Sequence, residues 1–137
     1  MISTGPLEDR LAIRELVESY NDAVMRFDKA AWAENWREDA TWALPGTGDG
    51  ITGRDNFVPM WENAMSAFEF VGFFASAGPI TVDGDQASGI WYQQEFLHQK
   101  DGVKRNVTGK YTDDYVKVDG RWYFQKRVYE VLNAEEQ

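Results

Sequence analysis

Three Asp-Gly pairs, Asp83-Gly84, Asp101-Gly102 and Asp119-Gly120, fall at intervals of 18 residues. Asp-Gly is a strong hairpin-turn signal, because both central positions of the favoured turn need the left-handed backbone that this pair adopts readily. The three turns divide residues 72–132 into four long strands joined as successive hairpins. Strands of that length exceed the usual range and must coil strongly to remain a sheet. One curved antiparallel sheet in the C-terminal half therefore dominates whatever this chain folds into.

The N-terminal half reads as helical. Ile13, Leu16, Val17, Tyr20, Val24 and Phe27 recur at three- and four-residue steps, which makes one apolar stripe on a helix over residues 7–27. Pro6 suits its first turn, and Glu8 and Asp9 suit the positive end of its dipole. Asp28 then stands at the N-cap position of a short second helix running to Trp36. Residues 40–44 read as a strand closed by Pro45-Gly46, and Asp55 can cap a third helix to about Phe68. The expected fold is α+β: a cone-shaped barrel in which three N-terminal helices pack on one strongly curved, mainly antiparallel sheet, as a single domain over residues 1–137.

Composition narrows the chemistry. There are no cysteines and one histidine, His98, so thiolate nucleophiles, disulfides and two-histidine metal sites within one chain are excluded. A formal charge of −9 argues against nucleic acid, whose binding needs an excess of Lys and Arg. Gly48-Asp49-Gly50-Ile51-Thr52-Gly53 fits the dinucleotide spacing, but hairpin-linked strands lack the parallel unit that motif requires, and Asp49 would repel phosphate. No cofactor and no metal are expected. No stretch reads as a signal peptide or membrane span, so a cytoplasmic protein without membrane contact is the expectation. Aromatic side chains make up 15% of the chain, enough to wall a pocket as well as fill a core.

Four residues carry candidate chemistry. Asp28 either caps the second helix or, facing the cone interior beside Phe27, Trp32 and Trp36, is desolvated into a general base. His98, the one imidazole, is a candidate acid–base group and lies in step with Tyr92, Gln94 and Phe96; with the strand shifted by one residue, Trp91, Gln93, Glu95 and Leu97 point inward instead. Arg127 shares a strand face with Tyr123, Gln125 and Tyr129, and either turns inward toward Asp28 or an anionic intermediate, or turns outward to Asp113 or Asp114. Tyr20 could donate a hydrogen bond to a substrate oxygen.

These elements resemble, over nearly the whole length, the SnoaL-like branch of the nuclear transport factor two-like superfamily. The resemblance rests on Ala12-Ile13-Arg14-Glu15-Leu16 with Tyr20 and Asp28, on Arg37-Glu38-Asp39-Ala40-Thr41-Trp42, and on Gly53-Arg54-Asp55. It continues in Tyr111-Thr112-Asp113-Asp114-Tyr115, in Asp119-Gly120-Arg121-Trp122-Tyr123-Phe124, and in Arg127. It implies a homo-oligomer, dimer or trimer, whose cone holds a small hydrophobic substrate, aromatic or polycyclic. In dehydratases and dehydrochlorinases of this kind an Asp after the first helix works with a His; Asp28 matches the Asp, but the His position falls on Phe73 or Phe74. Arg127 matches a pocket arginine, Tyr20 an oxyanion donor and Asp114 a second donor. The expected function is a cofactor-independent lyase, dehydratase or isomerase, with Asp28, His98, Tyr20 and Arg127 as catalytic residues. Trp42, Met60, Trp61, Phe74, Tyr92, Tyr111 and Asp114 are the expected substrate contacts. The rival reading is a non-catalytic binding or assembly subunit of the ring-hydroxylating dioxygenase small-subunit type.

Overall fold

The computed structural model describes residues 2–137. Helix α1 spans Leu7–Met25, and the stripe of Ile13, Leu16, Val17, Tyr20 and Val24 is its buried face. Asp9 in its first turn accepts hydrogen bonds from Lys117 Nζ and Trp122 Nε1, both at 3.1 Å, and so ties the helix to the sheet. The chain leaves α1 through Phe27, whose φ of 55° makes the sharp turn into α2 (Lys29–Ala33). This helix ends three residues earlier than the sequence suggests, because Trp36 is taken into strand β1 (Trp36–Ala43). A short β2 (Ile51–Thr52) pairs with β1, and α3 follows over Arg54–Met65.

The long strands are β3 (Phe68–Asp83), β4 (Gln86–Gln99), β5 (Lys104–Val118) and β6 (Arg121–Glu136). Each of the three Asp-Gly pairs lies at a hairpin between them. The six strands form one unclosed sheet in the order β2-β1-β6-β5-β4-β3, antiparallel except where β1 runs parallel to β6. Irregularities in register interrupt β3 near both ends and the β5–β6 pair between Asp114 and Tyr115. Such bulges add twist and let strands of 14–16 residues wrap instead of lying flat. The result is an α+β cone with the helices against the concave face. Among the described residues, no helix is long and apolar enough to cross a membrane.

Candidate active site

The cone interior has a solid end and a hollow one. At the solid end Trp32, Trp36, Phe57 and Phe124 are fully buried. Trp32 stacks on Trp61 with centroids 4.6 Å apart, and Trp36 meets Phe57 edge-on at 4.8 Å. Beyond them opens a cavity of about 220 Å³. Its aromatic lining includes Tyr20, Trp42, Trp61, Phe73, Tyr111 and Tyr129; Val24, Leu44, Val71 and Leu97 are among its aliphatic lining. One carboxyl group enters this lining, that of Glu95.

The phase of β4 decides which side chains reach the chamber. Buried Trp91, Gln93 and Leu97 fix the inner face, so Glu95 points in with them, paired across the sheet with Phe73. The alternate residues Tyr92, Gln94, Phe96 and His98 face out. His98 lies against Phe70, ring centroids 5.1 Å apart, on the convex side and away from the chamber. The histidine expected to enter the pocket therefore does not, and Tyr92 (46% exposed) and Phe74 (56% exposed) share its outward face. Met60 is also exposed, on the outer side of α3, whereas Trp61 beside it turns inward. Of the expected wall, Trp42, Trp61 and Tyr111 line the chamber; Met60, Phe74, Tyr92 and Asp114 do not.

Asp28 is an N-cap. Its Oδ1 accepts from Ala31 N at 3.0 Å and its Oδ2 from Arg26 Nη1 at 2.9 Å. The Ala31 N–H and then Arg26 hold its carboxyl below the usual range, the reverse of the shift a general base needs. It does not line the chamber, because the sharp turn at Phe27 that ends α1 directs it to the helix junction.

Arg127 does turn inward, but not on the face shared with Tyr123 and Gln125. The register shift opposite Asp114/Tyr115 changes the phase of β6, so Trp122 and Phe124 face in before it and Arg127 and Tyr129 face in after it. Its partner is Asp113, not Asp28 or Asp114. Nε donates to Oδ1 at 2.7 Å and Nη2 to Oδ2 at 3.1 Å, with both residues buried. Asp114, one residue on, is exposed on the outer face opposite Lys126. The guanidinium lies 3.8 Å from the Tyr111 ring centroid and 4.5 Å from that of Tyr20, behind two walls of the chamber.

The electrostatics follow from this placement. Desolvation pushes the Glu95 carboxyl up to about 7, with Gln93 and Arg105 opposing. Burial also raises Tyr20 and Tyr111, against the pull of Arg127, and raises Tyr129, so all three phenols are protonated hydrogen-bond donors at neutral pH. The Tyr129 hydroxyl lies 3.4 Å from Gln93 Oε1. Trp42 Nε1, Gln93 Nε2 and Arg127 Nη1 are buried donors without an acceptor. Among the described residues, no three His, Cys, Asp or Glu side chains gather as metal ligands would.

Glu95 is not among the expected site residues; it faces inward only in the alternative phase of β4. Its signal is the apolar alternation Trp91, Leu97 on either side of it, which marks the inner face of β4 and leaves an acid within it.

A helix-roofed cone with a mixed, unclosed sheet and a chamber between them defines the nuclear transport factor two-like superfamily. Within it, the chain belongs to the SnoaL-like domain family, whose pattern matches residues 5–128. Solved structures share the fold. A candidate aromatic ring hydroxylase from Novosphingobium aromaticivorans is 25% identical with a TM-score of 0.89, over 98% of this chain and 96% of that one. A candidate scytalone dehydratase from the same species is 23% identical with a TM-score of 0.86, over 96% and 89%. A type 3 hexachlorocyclohexane dehydrochlorinase from Novosphingobium barchaimii is 19% identical with a TM-score of 0.85, over 96% and 91%. No curated protein sequence matches the chain.

Proposed function

We propose that this protein is an acid–base lyase or isomerase acting, without a cofactor, on a small ring compound that carries an oxygen acceptor. The observation that carries this reading is one carboxyl group, Glu95, sharing an apolar chamber with Tyr20, Tyr111 and Tyr129. A carboxyl that ionises near 7 is poised to take a proton from carbon at neutral pH and to return it. The tyrosine hydroxyls supply donors for the oxygen on which charge develops. In an isomerisation Glu95 takes the proton α to a carbonyl and delivers it to another carbon of the resulting enolate. In an elimination the C–H electron pair becomes the double bond, and the β-substituent leaves with its own bonding pair.

Cavity size bears on the substrate. A void of about 150 Å³ accommodates benzene, so about 220 Å³ suits one ring with substituents better than a polycyclic compound. The dehydratase and dehydrochlorinase named among the structural relatives support elimination as the reaction class. The test is turnover of cyclic enones and of hydroxylated or halogenated one-ring compounds, with and without chelator. Activity should withstand chelation and fall about 10²–10⁴-fold in Glu95→Gln. Full turnover in that variant would overturn the assignment.

The non-catalytic reading has one observation in its favour, the aromatic packing that fills the closed end of the cone. It predicts stable co-purification with a larger subunit and no turnover. A homo-oligomer remains part of the proposal, with Phe70, Phe74 and Tyr92 exposed on the convex face, and light scattering on the purified chain tests it.

A further inference from the structure

Asp113 and Arg127 are the buried opposite charges of the described core. Both Asp113 oxygens are engaged. Besides the two guanidinium bonds, the Tyr115 hydroxyl donates to Oδ2 at 2.7 Å, and Trp91 Nε1 donates to that hydroxyl at 2.8 Å. Burial raises the Asp113 carboxyl and Arg127 pulls it down, and three donated hydrogen bonds on two oxygens are the arrangement of a carboxylate. A full positive charge thus stands directly behind Tyr20 and Tyr111, matched by one negative charge on its far side.

The chamber itself holds no lysine, arginine or histidine in its lining, and Glu95 is its one acid. Arg105, half-buried and outside the lining, acts on Glu95 and offsets part of its charge. An unmatched guanidinium behind the wall would make the interior attractive to anions, because charges act strongly in a poorly solvated space. With the pair intact, Glu95 is the one charged group in the wall a ligand meets, on a chain of net charge −9.

We infer that Asp113 sets the charge selectivity of the chamber: by cancelling Arg127 behind the tyrosines, it makes the site admit uncharged ring compounds and reject their carboxylates. The inference takes the chamber as a binding site from the proposed function but does not depend on the reaction assigned to it.

Benzamide and benzoate, nearly identical in shape and different in charge, are the probes. Their binding to the full chain is followed by calorimetry or by quenching of tryptophan fluorescence, to which Trp42 and Trp61 in the chamber wall contribute. At pH 8 the wild type should bind benzamide at least about tenfold more tightly than benzoate. The gap should narrow as pH falls through about 7 and Glu95 takes up its proton. Asp113→Asn strips the guanidinium of its counterion and should shift the ratio toward benzoate by about tenfold or more, a gain that a loosened fold does not produce. Since that variant puts the fold at risk, Asp113→Asn/Arg127→Gln removes both charges and should keep the wild-type preference. Equal or tighter benzoate binding by the wild type at pH 8 overturns the inference. So does an unchanged ratio in folded Asp113→Asn, or a switch to benzoate in the double variant. If neither probe binds, the chamber falls as a binding site and the inference with it. Full turnover in Glu95→Gln would overturn the reaction and leave the selectivity standing.

Discussion

At the closed end of the cone Trp32, Trp36 and Phe57 are packed ring against ring with no solvent contact. Toward the mouth, Tyr20, Phe73, Tyr111 and Tyr129 have comparable bulk but stand around an empty chamber. The closed end is stapled from three directions, by α2, α3 and the β1–β6 seam, so its rings are forced together. The open end is bounded by α1, the last turns of α3, the end of β1 and the long strands β3–β6, whose coiling holds the opposite walls apart. The indole nitrogens of Trp32 and Trp36 have no acceptor, so the closed end accepts unpaired donors in exchange for packing. Rigidity at one end lets the other remain hollow.

Mutations should separate the two ends. The largest stability loss is expected at the closed end. Trp32→Ala removes the ring that stacks on Trp61 and should cost about 3–5 kcal/mol, a large share of a total near 5–15 kcal/mol. Phe73→Ala, which only widens an existing chamber, should fall at the low end of that range. Equal losses in denaturant unfolding would show that the chamber is collapsed in solution.

Glu95 sharpens the contrast, because there function and stability point in opposite directions. A carboxyl raised from 4.5 to about 7 binds its proton more tightly folded than unfolded. Its ionisation above 7 therefore opposes folding, and stability rises as pH falls from 7 toward 4.5. Glu95→Gln should stabilise the protein at pH 8 by at most about 3 kcal/mol, with the advantage gone below pH 4.5, while turnover is lost. Stability equal to wild type at pH 8 would mean that the carboxylate is well solvated. A smaller effect is expected at Gly109, on the inner face of β5, where an added Cβ would run into the Tyr129 ring. Gly109→Ala should displace Tyr129 from the chamber at a cost of about 1–3 kcal/mol, visible as weaker ligand binding.

Much of the architecture was legible in the residues. The 18-residue spacing of Asp-Gly pairs located all three hairpins, and the apolar stripe located α1, because turn chemistry and helical period are local properties. The parallel β1–β6 contact and the two-residue β2 were not legible, since both depend on where distant strands meet. The site was harder to read for a related reason. Strand phase has a period of two, so a one-residue choice on β4 exchanged His98 for Glu95. A bulge on β6 likewise carried Arg127 to Asp113 rather than Asp28. Bulges leave no mark in an alternating pattern until both partner strands are known. Helix-capping logic placed Asp28 correctly at the start of α2, and the same placement takes it out of the chamber.

The smallest expected effects lie at Asp28 and His98, and they bear directly on where the chemistry sits. Asp28 is held ionised by the Ala31 N–H and Arg26, so its stabilising contribution is complete above 3.8 and is lost as pH falls below that value. Asparagine caps a helix about as well as aspartate, so Asp28→Asn should shift Tm by no more than a few degrees at neutral pH and leave turnover at the wild-type level. His98 touches Phe70 on the convex face, and His98→Gln should change neither stability nor rate measurably. A fall of about a hundredfold in Asp28→Asn, the usual cost of losing a general base, would move the base from the chamber to the helix junction. Only a rearrangement that turns Asp28 inward could then join it to the tyrosines, and crystals of the protein with a bound ring compound would show that turn at Phe27.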